Sequence, residues 1–201
     1  MLQACLLAII AGYADTIGYL HYEAFAGLMT GNTIFLGIEL SSGKWSLAAF
    51  HAAIILVFLT GVVISRVLLR LGVPAWQALT LASLILVICG FTPKTIAALL
   101  LALAMGVQNS AANRFNGVAL NTVFVTGNLQ KLGEGLVAWA WPPKGATPAT
   151  DGFAIFGLVW LAYAGGACMG AVAHTLTSLP LLLPAAILPF IMLDRWLPTK
   201  A

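Results

Sequence analysis

The residues of this chain that can do chemistry are few, and they lie in strongly apolar surroundings. Asp15 is the lone carboxylate of the run GYAD, and Asn109 ends the matching run GVQN, at an offset of 109 − 15 = 94. A polar triplet, Thr30-Gly31-Asn32, interrupts one apolar stretch and returns as Thr126-Gly127-Asn128, at an offset of 126 − 30 = 96. A carboxylate inside a membrane span costs roughly 2.5–3.5 kcal/mol on insertion scales, so it has a partner or a task. Asp15 is therefore expected to bind a cation, to carry a proton, or to hydrogen-bond the opposite triplet when protonated. The structural alternative is a pair with a basic residue. The triplets are expected to break a helix within the bilayer, with Thr and Asn capping the freed backbone groups and Gly permitting the φ/ψ excursion. The helix restarting after each break offers unpaired N–H groups and a partial positive charge, suited to a solute or ion site.

Other polar residues divide into site candidates and supports. Gln108 and Asn109 lie deep enough to join the substrate- or ion-binding set. Asn113, Arg114 and Asn116 read as the cap of a helix C-terminus. Glu39 beside Lys44, and Glu134 three residues from Lys131, read as interfacial charges, the second pair on one helical face. His51 and His174 are expected to be satisfied by neighbours, because no His, Cys or carboxylate stands at i+3 or i+4 to complete a metal site. Cys5, Cys89 and Cys168 are scattered singly, without disulfide or metal spacing. The chain offers no nucleophile–base pair, and Asn109 opposite Asp15 excludes a two-carboxylate protease dyad. No enzyme, cofactor or metal is expected.

The elements that must position these residues are membrane helices. Of 201 residues, 61% are hydrophobic and 7% charged, against about a quarter charged in soluble domains. The solvent is therefore mostly lipid, and the net charge of +3 is too small to imply nucleic acid. The N-terminal run has no basic region and reads as a retained first span, not a cleaved signal. Apolar segments fall at about 2–20, 28–40, 47–70, 75–92, 95–113, 123–140, 152–177 and 179–197. None alternates with strand period, so a β-barrel is excluded. Trp45, Trp76, Trp139, Trp141 and Trp196 mark span ends as an aromatic belt does. Gly166 and Gly170 form a small-residue packing face. Pro180, Pro184 and Pro189 divide the last span, and 141–152 is the best candidate for an exposed loop.

Two layouts compete. Either all eight segments cross, or 28–40 and 123–140 re-enter and leave six spans. Re-entry puts Arg66, Arg70, Arg114, Lys131, Lys144, Arg195 and Lys200 on one face, and Lys44 and Lys94 on the other. The positive-inside rule prefers that division and makes both termini cytoplasmic. The fold class is thus all-α, a polytopic transmembrane bundle of six spans plus two re-entrant half-helices, with eight spans as the alternative. The offsets divide a single membrane domain, 1–201, into repeats 1–92 and 93–201. Three spans per repeat is an odd number, so the copies are inverted, as in many secondary transporters.

The blocks GYADTIGYLHYEAFAGLMTGNTIFLGI and LAMGVQNSAANRFNGVALNTVFVTGNLQKLG resemble the YoaK-like family of small bacterial membrane proteins, domain of unknown function 1275. The motif positions are Gly12, Asp15, Thr30, Gly31 and Asn32, then Gly106, Gln108, Asn109, Arg114, Thr126, Gly127 and Asn128. The resemblance implies a polytopic helical fold in the bacterial cytoplasmic (inner) membrane and supplies no reaction. A basic leader before the first span, which the pattern implies, is missing here.

The function expected is that of a small secondary transporter or permease for a polar solute or ion. A non-transporting assembly protein is the alternative, and a membrane enzyme fares worst. The partners expected are the lipid bilayer and the solute, with a homodimer as a candidate assembly because 201 residues make a thin bundle.

Overall fold

The computed structural model describes residues 1–112, 114–115, 118–119, 122–123, 125–142 and 151–191. Asn113, Asn116, the loop 143–150 with Lys144, and the end of the chain with Arg195, Trp196 and Lys200 lie outside them. The fold is all-helical apart from a two-residue antiparallel ladder, Arg114–Phe115 with Val118–Ala119. The helices are α1 (Leu2–Tyr22), α2 (Met29–Ser41), α3 (Trp45–Arg70), α4 (Ala75–Cys89), α5 (Lys94–Ala111), α6 (Thr126–Ala140), α7 (Ala154–Leu176) and α8 (Leu182–Ile187). Among the described residues α1, α3, α5 and α7 are long and apolar enough to cross a membrane, and α4 is a shorter apolar helix. The protein is a multi-pass membrane protein whose outward-facing side chains meet lipid. Leu56, Leu59 and Val63 on α3 and Leu158, Leu161 and Val172 on α7 are all more than half exposed.

Glycines set how the long helices pair. At Gly12 an added Cβ would strike the Tyr163 carbonyl oxygen, and at Gly166 the Ile9 carbonyl oxygen, so α1 and α7 touch backbone to backbone. The same contact recurs between α5 and α3, with Gly106 against the Phe58 carbonyl and Gly61 against that of Leu103. The two sets correspond residue by residue, since 106 − 12 and 103 − 9 are both 94, while 163 − 58 and 166 − 61 are both 105. The small-residue face of α7 is therefore packing within the bundle, with Gly170 continuing it against Tyr13. Ile9 meets Gly166, Tyr13 meets Gly170 and His21 meets His174, so α1 and α7 run in the same direction. Leu7 meets Gln108 while Gly18 meets Leu101, so α1 and α5 run in opposite directions.

The prolines near the end of the described chain leave carbonyls that the rest of the protein satisfies. Proline has no N–H, so Pro184 and Pro189 cannot donate to the carbonyls four residues earlier, Pro180 and Ala185. Tyr13 donates to the Pro180 oxygen at 2.7 Å and Ser83 to the Ala185 oxygen at 2.6 Å. The last apolar segment is accordingly not one long helix. Among the described residues it is the six-residue α8 followed by a short 3-10 turn, Leu188–Phe190.

Candidate functional site

The site grows from one break in the backbone. α1 ends at Glu23, a non-glycine residue held in the left-handed conformation with φ 58°, and residues 24–28 then fold back along α1. Ala24, Ala26 and Gly27 are buried, and backbone groups away from water need partners within the protein, several of which side chains supply. Asn32 does this from the first turns of α2. Its Oδ1 accepts from the Phe25 N–H at 2.9 Å and its Nδ2 donates to the Phe25 carbonyl at 2.8 Å. Phe25 is thus clamped on both backbone groups by one wholly buried amide.

Asp15 holds the other end of the break. Its Oδ1 accepts from the N–H of Gly27 at 2.6 Å and of Leu28 at 3.1 Å, and its Oδ2 accepts from the Tyr163 hydroxyl at 2.6 Å. The carboxylate is 3% exposed. Gly12 lies one turn earlier on the same face of α1. Its missing side chain is what lets α7 approach closely enough for Tyr163 to reach Asp15. One carboxylate therefore joins three pieces of chain: α1, the break before α2, and α7. The amides require an acceptor at Oδ1. The tyrosine contact can carry its proton in either sense, because a phenol both donates and accepts.

The second break meets the first here. A Cβ on Gly27 would overlap the Val123 side chain, and Asp15 Oδ2 lies 3.6 Å from that Cβ position. Gly27 and Val123 hold the same place before their triplets, 123 − 27 = 96. The triplets themselves lie elsewhere than expected. Thr30-Gly31-Asn32 and Thr126-Gly127-Asn128 do not interrupt their helices but form the first turns of α2 and α6. Gly31 has no positive φ. What it provides is space, since a Cβ there would press on the Phe25 ring. Thr30 and Thr126 are exposed, and neither helix start has a side-chain cap. Of each triplet only the asparagine is buried, Asn32 at 0% and Asn128 at 1% exposed.

Gln108 is wholly buried and donates to the Leu7 carbonyl at 3.0 Å, tying α5 to α1; its Oε1 has no partner among the described residues. Asn109 is half-buried on α5. The arrangement brings Asp15 and Asn32 onto one backbone break, with the Val123 break against it, and leaves the threonines outside.

Three pairings were not foreseen. Tyr163 is the first; its signal was a tyrosine three and seven residues before Gly166 and Gly170, on the face that packs on α1. The second is Glu39, expected as an interfacial charge beside Lys44, which pairs with His51 at 2.8 Å. The third is His21 with His174, at 2.6 Å across 153 positions of sequence. Glu134 accepts from Gln130 at 2.9 Å, and Lys131 lies over the Phe156 ring at 5.1 Å. Among the described residues no three His, Cys, Asp or Glu gather as a metal site.

The comparisons agree on family and are silent on activity. The model of the protein family of unknown function DUF1275 matches residues 3–193, and the chain belongs to that family. The chain is 29% identical over 144 residues to the UPF0700 transmembrane protein YoaK of Bacillus subtilis (strain 168), a match covering 64% of each protein. The aligned part thus spans less than two thirds of that relative. No solved structure matches.

Proposed function

We propose that this member of the family is a non-enzymatic membrane transport protein for a polar solute or ion, built from two inverted copies of one unit. Each copy, 1–92 and 93–201, supplies three spans and one re-entrant half-helix, α2 in the first and α6 in the second. The observation that carries the reading is the contact of Gly27 with Val123 beside Asp15. Residues related by an internal two-fold touch one another only on its axis. The breaks thus meet where transporters of this kind hold their solute, at the interface of the repeats. The opposite directions of α1 and α5 support inversion, because these are the first helices of the two copies.

The course of α2 supports re-entry. It starts at the level of Asp15, about two thirds of the way along α1, and at its far end Glu39 bonds His51, which also reaches the Glu23 carbonyl at the end of α1. Thirteen residues rising 1.5 Å each span about 20 Å, short of the hydrocarbon core; α4, with 15 residues, is little longer, so the start of α2 beside Asp15 and its return to the end of α1 carry the distinction. With α2 and α6 re-entrant, the basic residues divide seven to two, which places both termini in the cytoplasm and the protein in the bacterial cytoplasmic membrane.

In this reading Asp15 is the residue on which the states of the protein turn. While it accepts from Gly27, Leu28 and Tyr163 the break is fastened to both copies. A change at the tyrosine contact releases α7 and leaves the amides held. The test is uptake into proteoliposomes, with polar solutes screened under imposed pH gradients. The parent is expected to accumulate a solute that Asp15→Asn, folded and of the same oligomeric state, does not. An Asp15→Asn variant with undiminished uptake would refute the role. The runner-up, a non-transporting assembly protein, draws on the same observation, since three satisfied hydrogen bonds also suit a purely structural carboxylate. It predicts that no solute distinguishes the two proteins.

A further inference from the structure

We propose that Glu39 and His51 form a proton-binding site whose single bound proton fastens the far end of α2. On the transport reading above, this makes the proton the coupled ion. The inference rests on which atoms can donate. His51 Nε2 lies 3.1 Å from the Glu23 carbonyl oxygen, and a carbonyl only accepts, so Nε2 carries a hydrogen. His51 Nδ1 lies 2.8 Å from Glu39 Oε2, a contact that requires a second hydrogen between them. That hydrogen sits on the ring, as imidazolium against carboxylate, or on the acid, as carboxyl against imidazole. The pair is neutral either way and holds one exchangeable proton.

Removing that proton leaves two lone pairs facing each other and one net negative charge in a poor place for it. The two side chains are 4% and 12% exposed, and the rings of Phe35 and Phe50 each stand 5.2 Å from the imidazole. An unpaired charge in such surroundings is strongly disfavoured, so either Glu39 leaves, or the ring moves its one hydrogen to Nδ1 and gives up the Glu23 carbonyl; both routes cost the junction of α1, α2 and α3 one hydrogen bond and loosen it. The other titratable groups on this side are Glu23 and Lys44, whose side chains are exposed, with the Lys44 N–H donating to the Glu39 carbonyl at 2.9 Å, and His21, Tyr22 and Lys94. With Glu23 these three line the adjoining cavity of about 450 Å³. No hydrogen bond joins any of their side chains to the pair among the described residues.

The second half of the protein lacks the device. At the same offsets as above, Glu39 corresponds to Gly135 (39 + 96) and His51 to Phe156 (51 + 105). Gly135 packs against the Phe153 ring. A proton taken up or lost here acts on one half-helix and not on its counterpart.

The test is a distance measurement that needs no solute. Spin labels go on Ile34→Cys of α2 and Leu56→Cys of α3, both 63% exposed. The background has Cys5, Cys89 and Cys168 replaced by alanine, and the protein is held in lipid nanodiscs. As the pH is raised from about 5 to about 9, a span that includes the physiological range in which histidine acts as a switch, the wild-type distance distribution is expected to pass from one narrow population to a broader one. The ratio of the two should change by up to tenfold per pH unit, the slope of one proton. Glu39→Gln should stay narrow throughout, because its amide donates to Nδ1 and no titrating proton is needed. His51→Phe should be broad throughout; if that variant does not fold, the Glu39→Gln comparison stands alone. A wild-type distribution that ignores pH overturns the proposal, and so does a Glu39→Gln variant that moves with the wild-type profile. Because uptake plays no part in the readout, a proton-linked α2 without transport would sink only the function proposed above. Transport with a pH-blind α2 would sink only this site.

Discussion

Replacing Asp15 by alanine isolates the interaction on which the centre of the protein depends. The substitution strips the acceptor from two backbone amides and one phenol. A buried donor left without a partner costs about 1–3 kcal/mol. The Gly27 and Leu28 amides are fixed in the break and have no other described acceptor, so together they account for about 2–6 kcal/mol on that scale. Removing the carboxylate also removes its own desolvation penalty, which offsets part of the loss. A net destabilisation of about 2–4 kcal/mol is expected. Asp15→Asn should lose only about 1 kcal/mol, because its oxygen still accepts from both amides and its amide donates to the Tyr163 oxygen. Tyr163→Phe should fall between the two. The assay is equilibrium unfolding in mixed micelles, with tryptophan fluorescence as the signal and the double variant Asp15→Asn/Tyr163→Phe closing a cycle. Asp15→Ala within about 0.5 kcal/mol of the parent, the scatter of ordinary surface changes, would refute the account. So would an asparagine variant as unstable as the alanine one.

Gly12→Ala and Gly106→Ala should each prevent close helix pairing and cost about 2–3 kcal/mol or more, read as lost folded yield and lowered midpoint. Gly165→Ala, which meets no atom within 4 Å, should be neutral or stabilising by up to about 1 kcal/mol. Tyr13→Phe and Ser83→Ala should each cost about 1–3 kcal/mol by orphaning the carbonyls that Pro184 and Pro189 leave free; restoring the donors with Pro184→Ala or Pro189→Ala should recover part of that loss in the same unfolding assay. Lys44→Cys and Trp141→Cys should react with impermeant thiol reagent from opposite sides of the membrane in the six-span layout. Labelling of both from one side would establish eight crossings.

The greater part of the helical frame is legible in the sequence because lipid leaves composition little freedom. Seven of the eight apolar segments begin and end within a few residues of a helix. The eighth is divided, as its three prolines imply, and what the sequence does not show is that the residues that satisfy its freed carbonyls, Tyr13 and Ser83, lie 167 and 102 positions away. Asp15 was visible as a carboxylate without a local partner, and its Gly12 neighbour as a small residue. Its three donors were not, since two are backbone amides of the run AFAGL, which carries little turn signal beyond one glycine. The triplets were misplaced for a related reason. Polar residues in an apolar run look like the break, whereas Asn32 makes the break by reaching back seven positions to Phe25. Glu39 reads as an interfacial charge because nothing local marks its partner, a histidine twelve positions on that stands on the next helix.

The corresponding positions of the two halves differ in one consistent way. The glycines that set helix contact are kept in both, Gly12 with Gly106 and Gly61 with Gly166. The carboxylates and the imidazole that make these contacts are kept in the first half alone. Asp15 corresponds to Asn109, His51 to Phe156 and Glu39 to Gly135, while Tyr163, which serves Asp15 from the second half, corresponds to Phe58. A duplicated scaffold with identical chemistry would leave its two inverted arrangements close in energy, with nothing to choose between them. On the inverted-repeat reading proposed above, confining the titratable contacts to α2 and its break would make one arrangement answer to protons and the other not. A differential interaction of that kind is the only means by which a bound ion can shift a conformational equilibrium. The asymmetry is therefore informative beyond either site. If the polar residues served packing alone, burial in the second half would call for them equally. There, asparagine, phenylalanine and glycine fill the same places without a titrating group.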